Sequence, residues 1–334
     1  MRTNKKVSLR EIARICNLSP ATVSRIVNGT GSFSEETKQL VFDTMKREGY
    51  FIKEDEEKTE AFRKTVGCLV PDFSNEIFAD RLMILTDFFA EKNIDLIVIP
   101  ASVEEADLNN KIRLLYRLGV SGIISVVAWN YDFLPVNIPI ICMDIPGVEI
   151  KNPNIYCVSS DEFVGGQLAA ETLYRKGCTN PLILNIRYSQ YSANQRILGF
   201  IKTYEKYGIQ INPDRIIDPE YSKSSFLSAK DLVTYYKTKG VEFDSIFAAS
   251  DWRAYGAIVA LKDMGLSVPD DIKVIGYDGI RISRYCELPF TTIKQDTATI
   301  TKTACNILWK LLNNETVEDH QILIPIYLQE GKTT

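Results

Sequence analysis

The sequence predicts an α/β protein in which a small three-helix bundle at the N-terminus precedes a core of two doubly wound parallel-sheet subdomains. Three observations predict it. Up to about residue 50 the chain reads as short capped helices. From Val66 onward, apolar runs of four to seven residues alternate with amphipathic helical stretches, the pattern of parallel sheets covered on both faces. Charge divides at the same place: residues 1–53 hold ten Lys/Arg against five Asp/Glu, whereas 54–334 hold 29 against 38. A basic head on an acidic body implies that only the head approaches nucleic acid.

The first helix is expected from Ser8, where SLREIARICNL places apolar residues at 9, 12, 13, 15 and 16 and pairs Ser8 with Glu11 as a capping box. It ends near Cys16. After the link Asn17-Leu18, SPATVSRIVNG offers Ser19 as N-cap, Pro20 at the first helical position and Gly29 as the stop. A third helix runs from the cap Ser34 to Gly49, with Leu40, Val41, Thr44 and Met45 as its inward stripe. In the core the strand candidates are VGCLV, DLIVIP, GIISVV, PIICMD and IYCVS, then PLILN, RIID, SIFAA and KVIGY. Helices at about 77–92, 104–118, 161–176, 194–207, 225–239, 254–264 and 297–313 fill the gaps. Two such alternating series imply a ligand crevice at the carboxyl ends of the strands.

A length of 334 residues suits two or three domains. No apolar run approaches the roughly 20 residues of a bilayer span. MRTNKKVSLREIARI lacks the continuous apolar stretch of a signal peptide, so a cytoplasmic protein with no membrane association is expected. The seven cysteines, at 16, 68, 142, 157, 178, 286 and 305, are scattered and never spaced as CxxC, which points to buried free thiols. Neither a metal nor a cofactor is expected. The single histidine, His320, stands in the polar stretch NETVEDHQ, where exposure is expected rather than general-base duty. No dinucleotide, nucleophile-elbow or P-loop motif is present, and EGKTT has Ile326 where a P-loop needs its first glycine. The chain reads as a binding protein, not an enzyme.

The segment SLREIARICNLSPATVSRIVNG carries the sharpest chemistry. Two short helices joined by a tight turn, the second opening on small polar residues, are what a helix-turn-helix needs to lay its second helix in the major groove of DNA. Pro20, Ala21 and Arg25 are the candidate base contacts, Arg25 being able to grip a guanine O6/N7 edge with two hydrogen bonds. Ser19, Thr22, Asn28 and Thr37 are small donors suited to phosphate oxygens. A plain helical hairpin is the structural alternative.

This segment and its continuation GSFSEETKQLVFDTMKREGY resemble the DNA-binding head of the lactose/galactose repressor (LacI/GalR) family. The resemblance runs on through VPDFSNEIF, SSDEFVGGQLAAETLYRKGC, QRILGF, ASDWRAYGAIVALKDMGLSVPDDIKVIGYDGI and LPFTTIKQD, in the same order and at similar spacing. It implies a head at 1–52, a linker at 53–65 and a periplasmic-binding-protein-like core at 66–334. One core subdomain would take about 66–161 and 296–323, the other about 162–295 and 324–334. It also implies a homodimer on a near-palindromic operator, acting as a repressor controlled by a small effector between the subdomains. Arg196 of QRILGF, Asp251 of SDWRAYG and Asp278 of GYDG fall where members bond ligand hydroxyls, and charged forks of this kind grip vicinal hydroxyls well. Phe73, Tyr221 and Trp252 follow strand candidates, where a ring could cover the apolar face of a sugar or simply pack. A sugar or sugar phosphate is the expected effector. A nucleobase or a phosphoprotein co-regulator is the alternative, as is a sugar-binding protein without DNA function.

Two departures stand out. Members usually carry a Pro-Asn pair and a leucine-bearing hinge helix after the equivalent of Tyr50, whereas this chain has FIKEDEEKTE with four consecutive acids, Glu54 to Glu57. Those acids repel phosphates, so a solvated tether is expected; a later hinge helix around KTEAFRK, with Phe62 as wedge, is the alternative. Near the C-terminus, Gly331 stands where members often have arginine. No leucine-heptad tail follows, so a dimer is expected rather than a tetramer.

Overall fold

The computed structural model describes residues 8–27, 31, 33–48, 64–71, 76–102, 104–127, 137–144, 152–186, 190–218 and 224–334. It divides into two compact units, Met1–Phe62 and Arg63–Thr334. Asn28, the acidic run with Phe62, Phe73 and Tyr221 lie outside the described residues.

The first unit contains α1 (Leu9–Ile15), α2 (Pro20–Val27) and α3 (Glu35–Arg47). Ser8 caps α1 by accepting the Glu11 N–H at 3.3 Å, and Ser19 caps α2 by accepting the Thr22 N–H at 3.0 Å. Each cap satisfies a backbone donor that the first helical turn would otherwise orphan. Ile12, Ala13, Cys16, Val23, Ile26, Val41 and Met45 close a small core. The expected stripe of α3 needs one correction. Leu40 is half exposed while Val41, Thr44 and Met45 are buried, so the helix turns its 41–44–45 edge inward and Leu40 flanks it.

The second unit begins with β1 (Thr65–Val70), α4 (Glu76–Glu91), β2 (Asp95–Pro100), α5 (Glu105–Arg117), β3 (Gly122–Ser125), β4 (Ile140–Met143) and β5 (Ile155–Ser160). The chain continues through α6 (Glu162–Arg175), β6 (Pro181–Leu184), α7 (Gln190–Lys206), β7 (Ile216–Ile217), α8 (Ser225–Thr238), β8 (Ser245–Ala248), α9 (Asp251–Asp263), β9 (Lys273–Asp278) and α10 (Ile282–Tyr285). It closes with β10 (Thr291–Gln295), α11 (Thr297–Leu312), β11 (Gln321–Ile324) and β12 (Ile326–Gln329).

Two sheets result, ordered β11-β5-β4-β3-β1-β2 and β12-β10-β9-β8-β6-β7. Every pairing is parallel except β10 with β12. In each sheet the strand order reverses beside the first strand, at β1 and at β6, which opens a crevice at the carboxyl edge. The chain passes between sheets three times: after β5, after β10, and at Pro325 between β11 and β12. Proline suits the last crossing, since its missing N–H is asked of neither ladder.

β10, β11 and β12 were not among the strand candidates. Their apolar runs are short or interrupted by Pro325, and pairing with distant strands supplies what local pattern does not. β2, expected as a buried strand, is an edge strand with only half-buried side chains. His320, expected in an exposed loop, is half-buried: β11 lies beside β5, which stacks the imidazole on Tyr156 at 4.4 Å and sets Nδ1 2.8 Å from the Ile155 carbonyl. The seven cysteines are free thiols, and six are buried. At Gly331 the backbone N–H donates to Thr291 Oγ1 at 3.1 Å, and a Cβ there would overlap the backbone of Phe290 and Thr291. The glycine therefore lets the chain end lie flat against β10, a path that an arginine at this position would obstruct.

Candidate DNA-binding and effector sites

In the head, α2 presents two unlike faces. Val23 and Ile26 are buried, while Pro20, Ala21 and Arg25 are exposed. Ala21 and Arg25, four residues apart, share one exposed stripe. Ser19 Oγ and Thr22 Oγ1 lie 2.8 Å apart, as Ser34 Oγ and Thr37 Oγ1 do at 2.9 Å. Each hydroxyl pair thus caps a helix and still leaves lone pairs and one rotatable proton at a helix N-terminus, where a phosphate is favoured.

In the core, Asp278 closes β9 with φ +112°, a conformation L-residues rarely adopt, and Gly279 follows at φ +73°. Such strain persists where surrounding contacts fix it. Here they do: Asp278 Oδ1 accepts Gln295 Nε2 at 2.8 Å and Arg196 Nη1 at 3.3 Å. Arg196, almost wholly buried on α7, also sends Nε and Nη2 to the two oxygens of Glu162 at 2.5 and 3.2 Å and Nη1 to the Ala249 carbonyl at 2.7 Å. Its guanidinium lies 3.8 Å from the Tyr277 ring centroid. Burial works against the charge of Arg196, but Glu162 and Asp278 outweigh it and hold its pKa above the ordinary value. Four of its five N–H donors are therefore engaged within the protein. The residue read from sequence as a ligand contact holds Asp278 in place.

α7 can deliver that guanidinium because two glycines let it approach α6. A Cβ at Gly166 would overlap the Arg196 carbonyl, and one at Gly199 would overlap the Phe163 carbonyl.

Asp251 requires a correction. It is fully buried, its Oδ2 accepting the Ile280 N–H at 2.8 Å and its Oδ1 the Thr292 hydroxyl at 2.5 Å. Burial, then the nearby Asp278, push its pKa upward. Both its oxygens are taken up within the protein, and Asp251 braces the turn that carries Asp278. The sequence placed α9 from about 254, but it starts at Asp251, so Trp252 and Arg253 stand in its first turn.

Across the crevice, Asp144 closes β4 with φ +64° and receives Nη1 and Nη2 of the buried Arg81 at 2.5 and 3.0 Å. Each sheet thus ends a strand on a left-handed aspartate gripped by a buried arginine. The Asp144 charge is felt at Asp278. The Asp278 carboxyl is pushed up to about 6: burial raises it most, Arg196 and the Gln295 bond lower it, and Glu162 and Asp144 add to the rise. The subdomains also touch directly: Ile280 joins the core cluster of the first subdomain and Trp252 packs on it, while Arg281 donates from its backbone N to Glu76 Oε1 at 2.6 Å and from Nη2 to Asp80.

Arg81, Asp144, Glu162 and Gln295 were not singled out from sequence. A signal existed for two of them: Arg81 interrupts the apolar stripe of EIFADRLMILTDFF, and Asp144 ends a strand as Asp278 does.

The comparisons with known proteins agree with this architecture. Residues 8–51 match the profile "Bacterial regulatory proteins, lacI family", and residues 170–334 match "Periplasmic binding protein-like domain". The chain is 26% identical over 321 residues to the HTH-type transcriptional repressor PurR of Histophilus somni, covering 95% of each chain. It is 28% identical over 337 residues to the ribose operon repressor of Halalkalibacterium halodurans, covering 98% of this chain and 97% of the relative. Its fold matches the lac repressor dimer bound to operator and anti-inducer with a TM-score of 0.74 at 23% identity, over 98% and 99% of the two chains. A periplasmic binding protein/LacI regulator from Alkaliphilus metalliredigens complexed with D-xylulofuranose matches with a TM-score of 0.70 at 26% identity, over 81% of this chain and 99% of that one. A lacI-type head and a periplasmic-binding-protein-like core on one chain place this protein in the lacI family of bacterial regulatory proteins.

Proposed function

We propose that the protein is a cytoplasmic, homodimeric repressor of carbohydrate-utilisation genes, whose affinity for a near-palindromic operator is set by a small sugar or sugar phosphate in the crevice of the core. The observation that carries the reading is Asp278, a carboxylate fixed from behind by Arg196 and Gln295 at the carboxyl edge of β9. Fixed acceptors of this kind select hydroxyl donors, because they lose little freedom on binding. Trp252, in the first turn of α9, packs on the core cluster of the first subdomain and is assigned to the apolar face of a sugar. In the head, Pro20, Ala21 and Arg25 are assigned to base edges. Ser19, Thr22 and Thr37, together with Asn28, are assigned to phosphates. Of the remaining aromatic candidates, Phe73 and Tyr221 stay proposals from sequence.

A nucleobase effector is the second reading. It is favoured by the PurR repressors among the relatives, which match over 93% or more of this chain. A thermal-shift screen of sugars, sugar phosphates and purines on the full chain separates the two, since a ligand of the folded crevice raises stability by mass action. Operator binding is then measured with each hit. A sugar that shifts melting and changes operator affinity supports the first reading; a purine alone supports the second.

A further inference from the structure

The second sheet carries at its carboxyl edge a second buried cation, which Asp278 does not use. Arg253, in the first turn of α9, is 1% exposed, yet its Nε and Nη2 have no hydrogen-bond partner. These two nitrogens form the edge of the guanidinium with which Arg196 clasps both oxygens of Glu162. In Arg253 the same fork meets no acceptor. Asp218, after β7, is the charge that partly offsets its burial; it forms no ion pair with Arg253 among the described residues, and its Oδ1 accepts Asn185 Nδ2 at 2.8 Å. Burial lowers the Arg253 pKa to about 10, with Asp218 offsetting only part of the loss. Ser250, the N-cap of the same helix, has a buried hydroxyl that makes no cap bond and has no other partner.

Burying a guanidinium with unmet donors is costly, and proteins keep such groups where something else meets them. The position is informative too. α9 starts where β8 ends, beside β6, at the point where the strand order of the second sheet reverses. Thirteen residues of helix point their N-terminal dipole at the same spot. A desolvated cation, a helix N-terminus and an unpaired hydroxyl fall within one stretch of chain, residues 250–253, and all three favour oxygen carrying negative charge.

We infer that Arg253 anchors an anionic group of the effector, a phosphate or a carboxylate, through the paired Nε and Nη2 donors. The inference rests on the proposed effector crevice and narrows it: the ligand is a charged carbohydrate derivative, with Asp278 holding hydroxyls and Arg253 the anion. The charge on the ligand offsets the desolvated charge on the protein, so an uncharged sugar leaves the cost of burying Arg253 unrelieved.

The test is calorimetric titration of the full chain and its Arg253→Met variant with matched probes: ribose and ribose 5-phosphate, glucose, glucose 6-phosphate and glucuronate, and inorganic phosphate. The wild type is expected to bind one anionic member about tenfold or more tightly than its neutral partner, with R253M abolishing that margin. Phosphate esters and glucuronate distinguish the two sources of charge. Without ligand, R253M is expected to melt at or above the wild-type temperature, because methionine fills the space without a charge. A melting temperature several degrees lower would make the guanidinium a structural support and overturn the inference. Neutral sugars binding both proteins equally would overturn it while leaving the crevice reading intact, and no binding by any probe would remove both.

Discussion

Gln295 donates Nε2 to Asp278 Oδ1 at 2.8 Å, and its own Oε1 accepts the Ser160 hydroxyl at 3.2 Å. Ser160 ends β5 and Gln295 ends β10, so two of the three crossings between subdomains are joined by this bond and tied to the strained carboxylate. A ligand bonded to Asp278 would therefore be connected through Gln295 to two of the crossings.

The Asp278 carboxyl gives the core a distinct acid response. Its folded pKa of about 6 lies above the roughly 4 of an unfolded aspartate, so the folded state holds the proton more tightly. The stability it contributes is complete below about pH 4 and is lost as pH rises through 6. Asp278→Asn is expected to gain on the wild type over that window, by roughly 2 to 3 kcal/mol between pH 4 and 7. Urea titrations at several pH values check this; a difference independent of pH would refute it.

Glu162 neutralises the buried Arg196 through both its oxygens, along one edge of the guanidinium. Glu162→Ala leaves that charge with the more weakly bonded Asp278 and is expected to destabilise the core by about 3 to 5 kcal/mol. Chemical unfolding followed by tryptophan fluorescence measures it.

Gly166→Ala tests the helix approach that delivers Arg196. Its methyl would overlap the Arg196 carbonyl, backbone that cannot swing aside. A loss of about 1 to 3 kcal/mol is expected from overpacking, together with weaker effector binding. Gly177→Ala, in open space at a positive φ, is the control: strained locally but without effect on effector affinity.

On DNA, Arg25→Ala is expected to weaken specific operator binding by about 1 to 3 kcal/mol without changing the sedimentation of the protein. Fluorescence anisotropy with operator and scrambled duplexes reads both affinity and specificity. Equal binding by variant and wild type would remove Arg25 from the groove.

The acidic run Glu54–Glu57 predicts a small DNA bend, because four carboxylates disfavour a linker pressed against phosphates. Circular-permutation gel shifts showing a sharp kink would contradict it.

What the sequence determined by itself was local. Ser8, Ser19 and Ser34 announce helix starts through hydrogen bonds that span three residues, and runs such as PLIL and SIFA announce buried strands, because both signals are complete within one element. Asp278 at the end of KVIGYD was legible for the same reason. The tertiary structure decided which charges meet. Arg81 finds Asp144 from 63 residues away, and Arg196 finds Glu162 from 34. It also decided that Asp251, a residue of the same kind as Asp278, turns inward to brace a loop. An isolated carboxylate or guanidinium carries no mark of its partner; burial and the crossing strands assign one, and they leave the Arg253 fork as the pair that the protein itself does not complete.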